Sequence, residues 1–139
     1  AMLGFSILIP KICDIGAYFT GRFLGRTRIT PILSPGKTLE GFIGGVALGT
    51  LFTVLGHQAL FDVAPLFGSM THAICFGILV SIAGILGDLA ESLLKRDLLA
   101  KDASRLIPGF GGILDVIDSI LFGASVALIW FLVFPPPGL

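Results

Sequence analysis

Charged residues are scarce in this 139-residue sequence. They make up 13% of the chain, about half the share that is usual in a soluble globular domain, while 55% of the residues are hydrophobic. Nine basic and nine acidic residues cancel, so no overall field favours a highly charged macromolecule as partner. This composition indicates an integral membrane protein, and we expect no nucleic-acid partner.

Cysteine is scarcer still: the chain has two, Cys13 and Cys75, both in apolar stretches and far from any metal-ligand cluster. Such residues are typical small buried hydrophobes, and they do not report on the redox compartment. A cleavable signal is also not expected, because no basic segment leads into a short apolar core with a small-residue cleavage site.

Long apolar runs are abundant, and four of them approach or exceed the length that crosses a bilayer. They cover about residues 2–24, 41–61, 72–94 and 118–134, the last closed by the helix-stopping PPPG at 135–138. Glycines near a helix start, such as Gly41, Gly44 and Gly45, favour close packing of helices in lipid. The sequence therefore predicts an all-α helical bundle of about four transmembrane helices, forming a single membrane domain over 1–139.

The basic residues are concentrated in two connecting segments. Seven of the nine lie within 25–40 and 91–117. With four spans these two segments fall on one side of the membrane, and the positive-inside rule makes that side cytoplasmic. We therefore expect a protein of the cytoplasmic membrane with both termini outside and its two functional loops in the cytosol.

The third apolar run carries a polar stripe. Asp88, Glu91, Ser92 and Lys95 are spaced so that one helix face presents all four. An ionisable side chain inside a membrane helix usually faces a partner or a water-filled cavity, which is the expectation for Asp88. The alternative for Glu91 and Lys95 is that the stripe surfaces at the interface, with a solvated carboxylate and a snorkelling lysine.

The first run contains a second polar group. Asp14 and Tyr18 lie one helical turn apart and are candidates for lining the same cavity as Asp88. Lys11 is three residues before Asp14, close enough to neutralise it.

Asp115 and Asp118 stand where a loop becomes an apolar run. If a helix starts near Leu114, they share one face, and two such carboxylates repel each other unless a cation lies between them. First-turn capping is the alternative explanation, but it gives no reason for Asp88. Three carboxylates at the ends of two helices would form a hard-oxygen site suited to one or two Mg²⁺ ions.

Glycines precede this pair of aspartates. PGFGG, with Gly109, Gly111 and Gly112, would let backbone amides approach an anion just before a helix, where phosphate is favoured.

The first basic segment adds SPGKTLEG, with Ser34, Lys37 and Thr38 as candidate substrate contacts. Its GKT is similar to the end of a P-loop, but the earlier glycine is replaced by Pro31 and we expect no preceding strand. An ATPase-type P-loop is therefore excluded.

Carboxylates for a divalent metal, basic residues and small-residue loops at a membrane surface suit phosphoryl or nucleotidyl transfer involving a lipid. The string SLLKRDLLAKDASRLIPGFGGILDVID at 92–118 closely resembles the signature of phosphatidate cytidylyltransferases (CDP-diacylglycerol synthases). DIGAYFTGRFLG, SPGKTLEGFIGG and GDLAES are also similar to that family, so the resemblance covers about 12–134. The matching residues of the string are Ser92, Lys95, Arg96, Lys101, Asp102, Pro108, Gly109, Gly111, Gly112, Asp115 and Asp118.

The resemblance implies transfer of a cytidylyl group from CTP to phosphatidate, giving CDP-diacylglycerol and pyrophosphate. It implies Mg²⁺ on Asp88, Asp115 and Asp118, and catalytic roles for these residues and Lys101. It also implies that the protein lies in the bilayer and forms a homodimer. Triphosphate or phosphatidate contacts would come from the basic residues Lys37, Lys95, Arg96, Lys101 and Arg105. Two roles stay open for Asp102: a contact with substrate, or a structural ion pair with a lysine.

Two positions depart from the family pattern: Phe110 replaces His, and Val116 replaces Arg. We interpret the chain as a divergent but active member, with an inactive scaffold as one alternative. The family's proteins also have further N-terminal membrane helices, so we expect a C-terminal part of a longer protein. Two other classes stay open: a CTP-dependent lipid kinase of the polyprenol type, and a cation-coupled transporter using Asp88 and Asp14.

Overall fold

A computed structural model describes residues 2–30, 34–60, 66–99 and 110–136. Four long helices in these described ranges confirm the predicted all-α bundle. A short hairpin follows the first helix. The elements in chain order are α1 (Met2–Leu24), β1 (Arg28–Thr30), β2 (Ser34–Thr38), α2 (Leu39–Leu60), α3 (Met70–Leu99) and α4 (Phe110–Val133).

Three of these helices are long and apolar enough to cross a membrane: residues 3–24 of α1, all of α2, and residues 70–93 of α3. In α4, side chains are described from Ser119 onward, and the segment Ser119–Val133 is a shorter apolar helix. Large hydrophobic side chains such as Leu3, Phe23 and Leu132 are mostly exposed, as expected for surfaces that contact lipid. The protein is an integral membrane protein.

Small residues bring α1 and α2 into close contact, as the glycine pattern predicted. The buried residues of α2 recur at every fourth position: Gly41, Gly45, Gly49, Thr53 and His57. A Cβ atom on Gly45 would lie 2.8 Å from the carbonyl oxygen of Cys13 and 3.0 Å from Cβ of Ala17. Backbone approach of this kind gives membrane helices extensive van der Waals contact.

An aromatic cluster fills the bundle at the end opposite the hairpin. Phe67 is at its centre, with ring centroids 5.0 Å from Phe76 and 6.1 Å from Phe131. Phe5 of α1 joins it edge-on at 6.4 Å. All four helices contribute to or pack against this core, which fixes their arrangement at the end away from the basic segments.

The two cysteines differ in burial. Cys13 is buried at the α1–α2 contact, as predicted, whereas Cys75 is exposed on α3. The prediction for Cys75 was wrong because an apolar stretch in a membrane helix has a lipid-facing side as well as a packed one.

The hairpin was not predicted. β1 and β2 pair antiparallel, with Arg28 opposite Thr38 and Thr30 opposite Ser34. The expectation of no strand before the GKT segment is therefore wrong. The P-loop exclusion stands, because Lys37 and Thr38 belong to a strand rather than to a loop between a strand and a helix.

Polar contacts attach the hairpin to the start of α2. The Glu40 carboxylate accepts hydrogen bonds from the backbone amides of Arg26 and Thr27. The amide of Leu39 donates to the carbonyl oxygen of Thr27 at 2.8 Å. These bonds hold the hairpin over the ends of the helices.

Candidate active site

A cavity of about 550 Å³ lies where the hairpin meets α1, α2 and α3. Much of its wall is apolar, with Ile29, Phe42 and Ile85 among the contributors. Five polar residues also line it: Asp14, Tyr18, Lys37, Thr38 and Asp88. The structure thus brings Asp14 and Tyr18 to the same cavity as Asp88, as the sequence predicted.

Lys37 and Asp88 form an ion pair across this cavity. Nζ of Lys37, on β2, lies 2.6 Å from Oδ2 of Asp88, on α3. The two side chains are 24% and 39% exposed, so the pair is partly shielded from solvent. Asp88 therefore has the partner expected of a carboxylate at this depth, and a cation from the first basic segment is positioned beside it.

A second polar group links α1 to α4. Nζ of Lys11 lies 3.4 Å from Oδ2 of Asp14, which confirms the predicted neutralisation. Lys11 also donates a 2.8 Å hydrogen bond to Oγ of Ser119, and Ser119 donates to the same Asp14 oxygen at 3.2 Å. The three side chains form a closed triangle, of which sequence reasoning found the two members on α1.

Tyr18 has a cationic neighbour. Arg22 donates a 2.7 Å hydrogen bond to the phenolic oxygen of Tyr18, and both side chains are exposed on α1. Arg22 thereby adds a positive charge beside the cavity wall, one turn closer to the hairpin.

Thr38 has a structural role as well as a place in the cavity wall. Its Oγ1 accepts a 3.1 Å hydrogen bond from the amide of Gly41, which makes Thr38 the N-cap of α2. Lys37, one residue earlier, is fixed at the end of the strand by this cap. The side chain of Ser34 lies outside the described residues, although its backbone belongs to β2.

The polar stripe of α3 is only partly at the cavity. Asp88 lines it, but the hydroxyl of Ser92 donates to the backbone oxygen of Asp88 at 2.9 Å, and Ser92 is not in the cavity wall. Glu91 is 5% exposed, so the alternative of a solvated carboxylate is wrong for this residue. The side chain of Lys95 lies outside the described residues.

The start of α4 differs from the expected boundary. The helix begins at Phe110 rather than near Leu114, so Gly111 and Gly112 lie in its first turn and not in a turn before it. No acidic residue lies in that first turn. Asp115 and Asp118 therefore lie farther along the helix, and first-turn capping does not account for them.

Several predicted site residues fall beyond what the structure describes. The side chains of Asp115 and Asp118, and of Phe110 and Val116, lie outside the described residues, although their backbone is helical. The same holds for Arg96 of α3. The remaining predictions of this kind lie wholly outside the described residues: Lys101, Asp102, Arg105 and Gly109.

A metal ion would find oxygen ligands at this cavity. Asp88 offers a carboxylate, the hard donor that Mg²⁺ prefers. Among the described residues, no group of three or more His, Cys, Asp or Glu side chains is close enough to hold an ion. The donor chemistry fits Mg²⁺, and a complete ligand set would need carboxylates from positions such as 115 and 118.

Comparison with known sequences adds independent evidence. The profile of the family described as "Cytidylyltransferase family" matches residues 2–134. A phosphatidate cytidylyltransferase of Helicobacter pylori is 45% identical over 128 residues, which cover 91% of this chain and 46% of that protein. One from Synechocystis is 49% identical over 113 residues, covering 81% of this chain and 37% of that protein.

A third relative, YnbB of Escherichia coli, is described as uncharacterized and is 38% identical over 124 residues, 88% of this chain and 39% of that protein. The chain thus spans less than half the length of each of these three relatives.

Proposed function

The chain belongs to the cytidylyltransferase family, and we propose that it forms the catalytic part of a phosphatidate cytidylyltransferase. In the proposed reaction, a phosphate oxygen of phosphatidate attacks the α-phosphorus of CTP. The bond from that phosphorus to the oxygen bridging the α- and β-phosphates breaks. CDP-diacylglycerol forms and pyrophosphate leaves.

The observation that carries this proposal is the Lys37–Asp88 pair in a cavity whose remaining wall is largely apolar. An ammonium group on that wall suits a phosphate of either substrate. The apolar side chains around it suit the glycerol and upper acyl segments of a lipid that enters from the bilayer. A cavity with both characters fits a reaction between a nucleotide and a membrane lipid.

Asp88, Asp115 and Asp118 would hold one or two Mg²⁺ ions in this proposal. The ions would supply neutralisation of the charge that develops on the phosphates. Lys37 would contact a substrate phosphate, and the Thr38 cap would keep the backbone at Lys37 fixed. Ser34, Ser92 and the basic residues Lys95, Arg96, Lys101 and Arg105 stay candidates for substrate contacts, together with Asp102 and the glycines at 109, 111 and 112.

Sidedness and assembly are part of the same proposal. The hairpin carries Arg28 and Lys37, and Arg26 lies just before it; the positive-inside rule supports a cytoplasmic position for the hairpin and for the cavity. That position would expose the site to cytosolic CTP. We also propose a homodimer, on the family resemblance alone; its mass in detergent is measurable by light scattering.

The decisive experiment follows label from CTP into lipid. Detergent-solubilised protein receives phosphatidate, Mg²⁺ and CTP labelled on either the α- or the γ-phosphate. Asp118→Asn and Ser125→Ala are assayed alongside; Ser125 is exposed and its hydroxyl donates to the Leu121 carbonyl of its own helix. We expect α-label in lipid with wild type and Ser125→Ala, and loss of it with Asp118→Asn or EDTA.

Other outcomes separate the alternatives. Appearance of the γ-label in lipid would contradict cytidylyl transfer and identify a CTP-dependent lipid kinase. Transfer of neither label by a folded full-length protein would contradict the proposal and favour the inactive scaffold or the transporter. Ion uptake by reconstituted vesicles without nucleotide turnover then distinguishes those two.

A further inference from the structure

The triangle of Lys11, Asp14 and Ser119 lies deep in the bundle. Lys11 is 13 residues before the end of α1 at Leu24, which at 1.5 Å per residue is about 20 Å along the helix. Ser119 is fully buried, and Lys11 and Asp14 are 29% and 34% exposed. Charged side chains at such a depth are costly in a membrane, so a role beyond packing is expected of them.

The triangle is one of two consecutive contacts between α1 and the same face of α4, and a buried core residue continues that face. Ser119 bonds to Lys11 and Asp14, and four residues later Gly123 has so little space that a Cβ would lie 2.5 Å from Cγ of Pro10. Four residues further on, Ala127 is fully buried in the core cluster that also contains Ile9. These contacts fix the rotation of α4 about its own axis.

Position 115 continues this face toward the hairpin. It precedes Ser119 by four residues within the same helix, and residues four apart lie on one side, one above the other. Asp14, which bonds to Ser119, also lines the cavity with Asp88. The rotation that Asp14 and Ser119 impose on α4 therefore also sets the direction of the helix face on which position 115 lies, the face that contacts α1 at Ser119.

We infer that Asp14 is a positioning residue: through Ser119 it sets the rotation of α4, and so the placement of Asp115 and Asp118 as metal ligands. Lys11 neutralises Asp14 and shares the Ser119 bond, which keeps the triangle closed. Residues that orient the ligands of a metal typically contribute about 10- to 100-fold to its affinity. The inference rests on the proposed function, because it requires that α4 supplies metal ligands.

The test measures Mg²⁺ binding without turnover. The full chain in detergent is titrated with MgCl₂ in the absence of CTP, and its thermal unfolding midpoint is followed. Ser119→Ala and Asp14→Asn are compared with Ser125→Ala, a matched serine of α4 whose hydroxyl bonds only within its own helix. The Mg²⁺ dependence of α-label transfer is recorded on the same samples.

We expect Ser119→Ala and Asp14→Asn to raise the Mg²⁺ concentration at half-maximal stabilisation about tenfold. The Mg²⁺ concentration that half-activates transfer should rise in parallel. The rate at saturating Mg²⁺ should stay within about threefold of wild type, because a higher Mg²⁺ concentration compensates for misplaced carboxylates. Ser125→Ala should match wild type in both titrations.

Three results would overturn the inference. Ser119→Ala could titrate like Ser125→Ala. Asp14→Asn could abolish the Mg²⁺ response while Ser119→Ala is silent, which would make Asp14 a direct ligand. The wild-type stability could fail to respond to Mg²⁺. If Ser119→Ala does not purify in folded form, Ser119→Cys, which keeps the shape with a weaker hydrogen bond, is judged by the same criteria.

Failure of the proposed function gives a different pattern. A wild-type chain that is stabilised by Mg²⁺ but transfers no α-label contradicts cytidylyl transfer. The stabilisation midpoints of the variants still decide the role of Asp14 in that case.

Discussion

Lys37 Nζ and Asp88 Oδ2 lie 2.6 Å apart, and this pair joins the hairpin to α3. Each charge is the partner of the other in a wall that is otherwise largely apolar. Removing one member therefore leaves the second partly buried without its counter-ion, which costs more than the intact pair contributes. The first two predictions use this asymmetry to separate structure from catalysis.

Lys37→Met should lower α-label transfer about 100-fold, as expected when one positioned cationic contact to a phosphate is lost. The fall in stability should be small, about 1 kcal/mol or less, because the pair is partly exposed. Transfer kinetics and thermal unfolding in detergent measure both effects. Arg28→Gln, which removes an exposed cation from the same hairpin, should stay near wild type; equal losses in both variants would refute a specific role for Lys37.

Combining Asp88→Asn with Lys37→Met should restore stability without restoring activity. Asp88→Asn alone strands the Lys37 ammonium, and the double variant removes both charges, so its unfolding midpoint should exceed that of Asp88→Asn. Transfer should stay about 1000-fold below wild type, because the proposed metal ligand is missing. Recovery of transfer in the double variant to the level of Lys37→Met alone would contradict a metal-ligand role for Asp88.

Glu40→Ala should loosen the hairpin. Its carboxylate accepts the amides of Arg26 and Thr27, so hydrogen exchange at those two amides should accelerate about tenfold. Glu40→Gln keeps one acceptor oxygen, so its exchange rates at these amides should lie between those of wild type and Glu40→Ala. Exchange followed by mass spectrometry on peptides covering 25–30 gives the measurement, and unchanged exchange in Glu40→Ala would contradict this role.

Gly45→Ala should destabilise the bundle by about 1–3 kcal/mol, because its Cβ would be forced against Cys13 and Ala17 of α1. Gly4→Ala is the matched control on a helix: nothing lies within 4 Å of its added Cβ, so it should be neutral or slightly stabilising. Unfolding in mixed detergent compares them. Equal free energies of unfolding for the two variants would mean that α1 and α2 can move apart without loss of stability.

Hydropathy was sufficient to predict the helices, because membrane spans must satisfy their backbone hydrogen bonds internally and be apolar throughout. The positions at which the helices begin and end were harder to predict. The predicted fourth run began at 118, but α4 begins at Phe110, since Gly111 and Gly112 interrupt the apolar pattern without interrupting the helix. Glycine is disfavoured in helices, yet tertiary context overrides that preference.

The hairpin could not have been inferred from strand preferences. β2 reads SPGKT, with proline and glycine among its five residues, and both are depleted in strands. Its stability comes from contacts with Glu40 and Leu39, which lie outside the strand. Such contacts are invisible in a residue-by-residue assessment.

The site shows the same division between local and distant contacts. Lys11 and Asp14 were paired from their three-residue spacing. The bond to Ser119 joins residues 105 positions apart along the chain, and nothing in the sequence pattern singles out this serine from the others. Likewise, spacing identified Asp88 as needing a partner but did not identify Lys37.

The Lys11–Asp14 pair also has a consequence for how the chain is made. Ser119 is translated 105 residues after Asp14, about 5 to 20 s later at ordinary synthesis rates. Until α4 reaches the membrane, α1 must be inserted with a lysine and an aspartate that have no contact to the rest of the triangle. Because these two are one helical turn apart, they can neutralise each other in the nascent helix. Moving one of them to the opposite face of α1 would leave both charges unpaired in the nascent helix, so that the first membrane insertion would fail before the bundle could assemble.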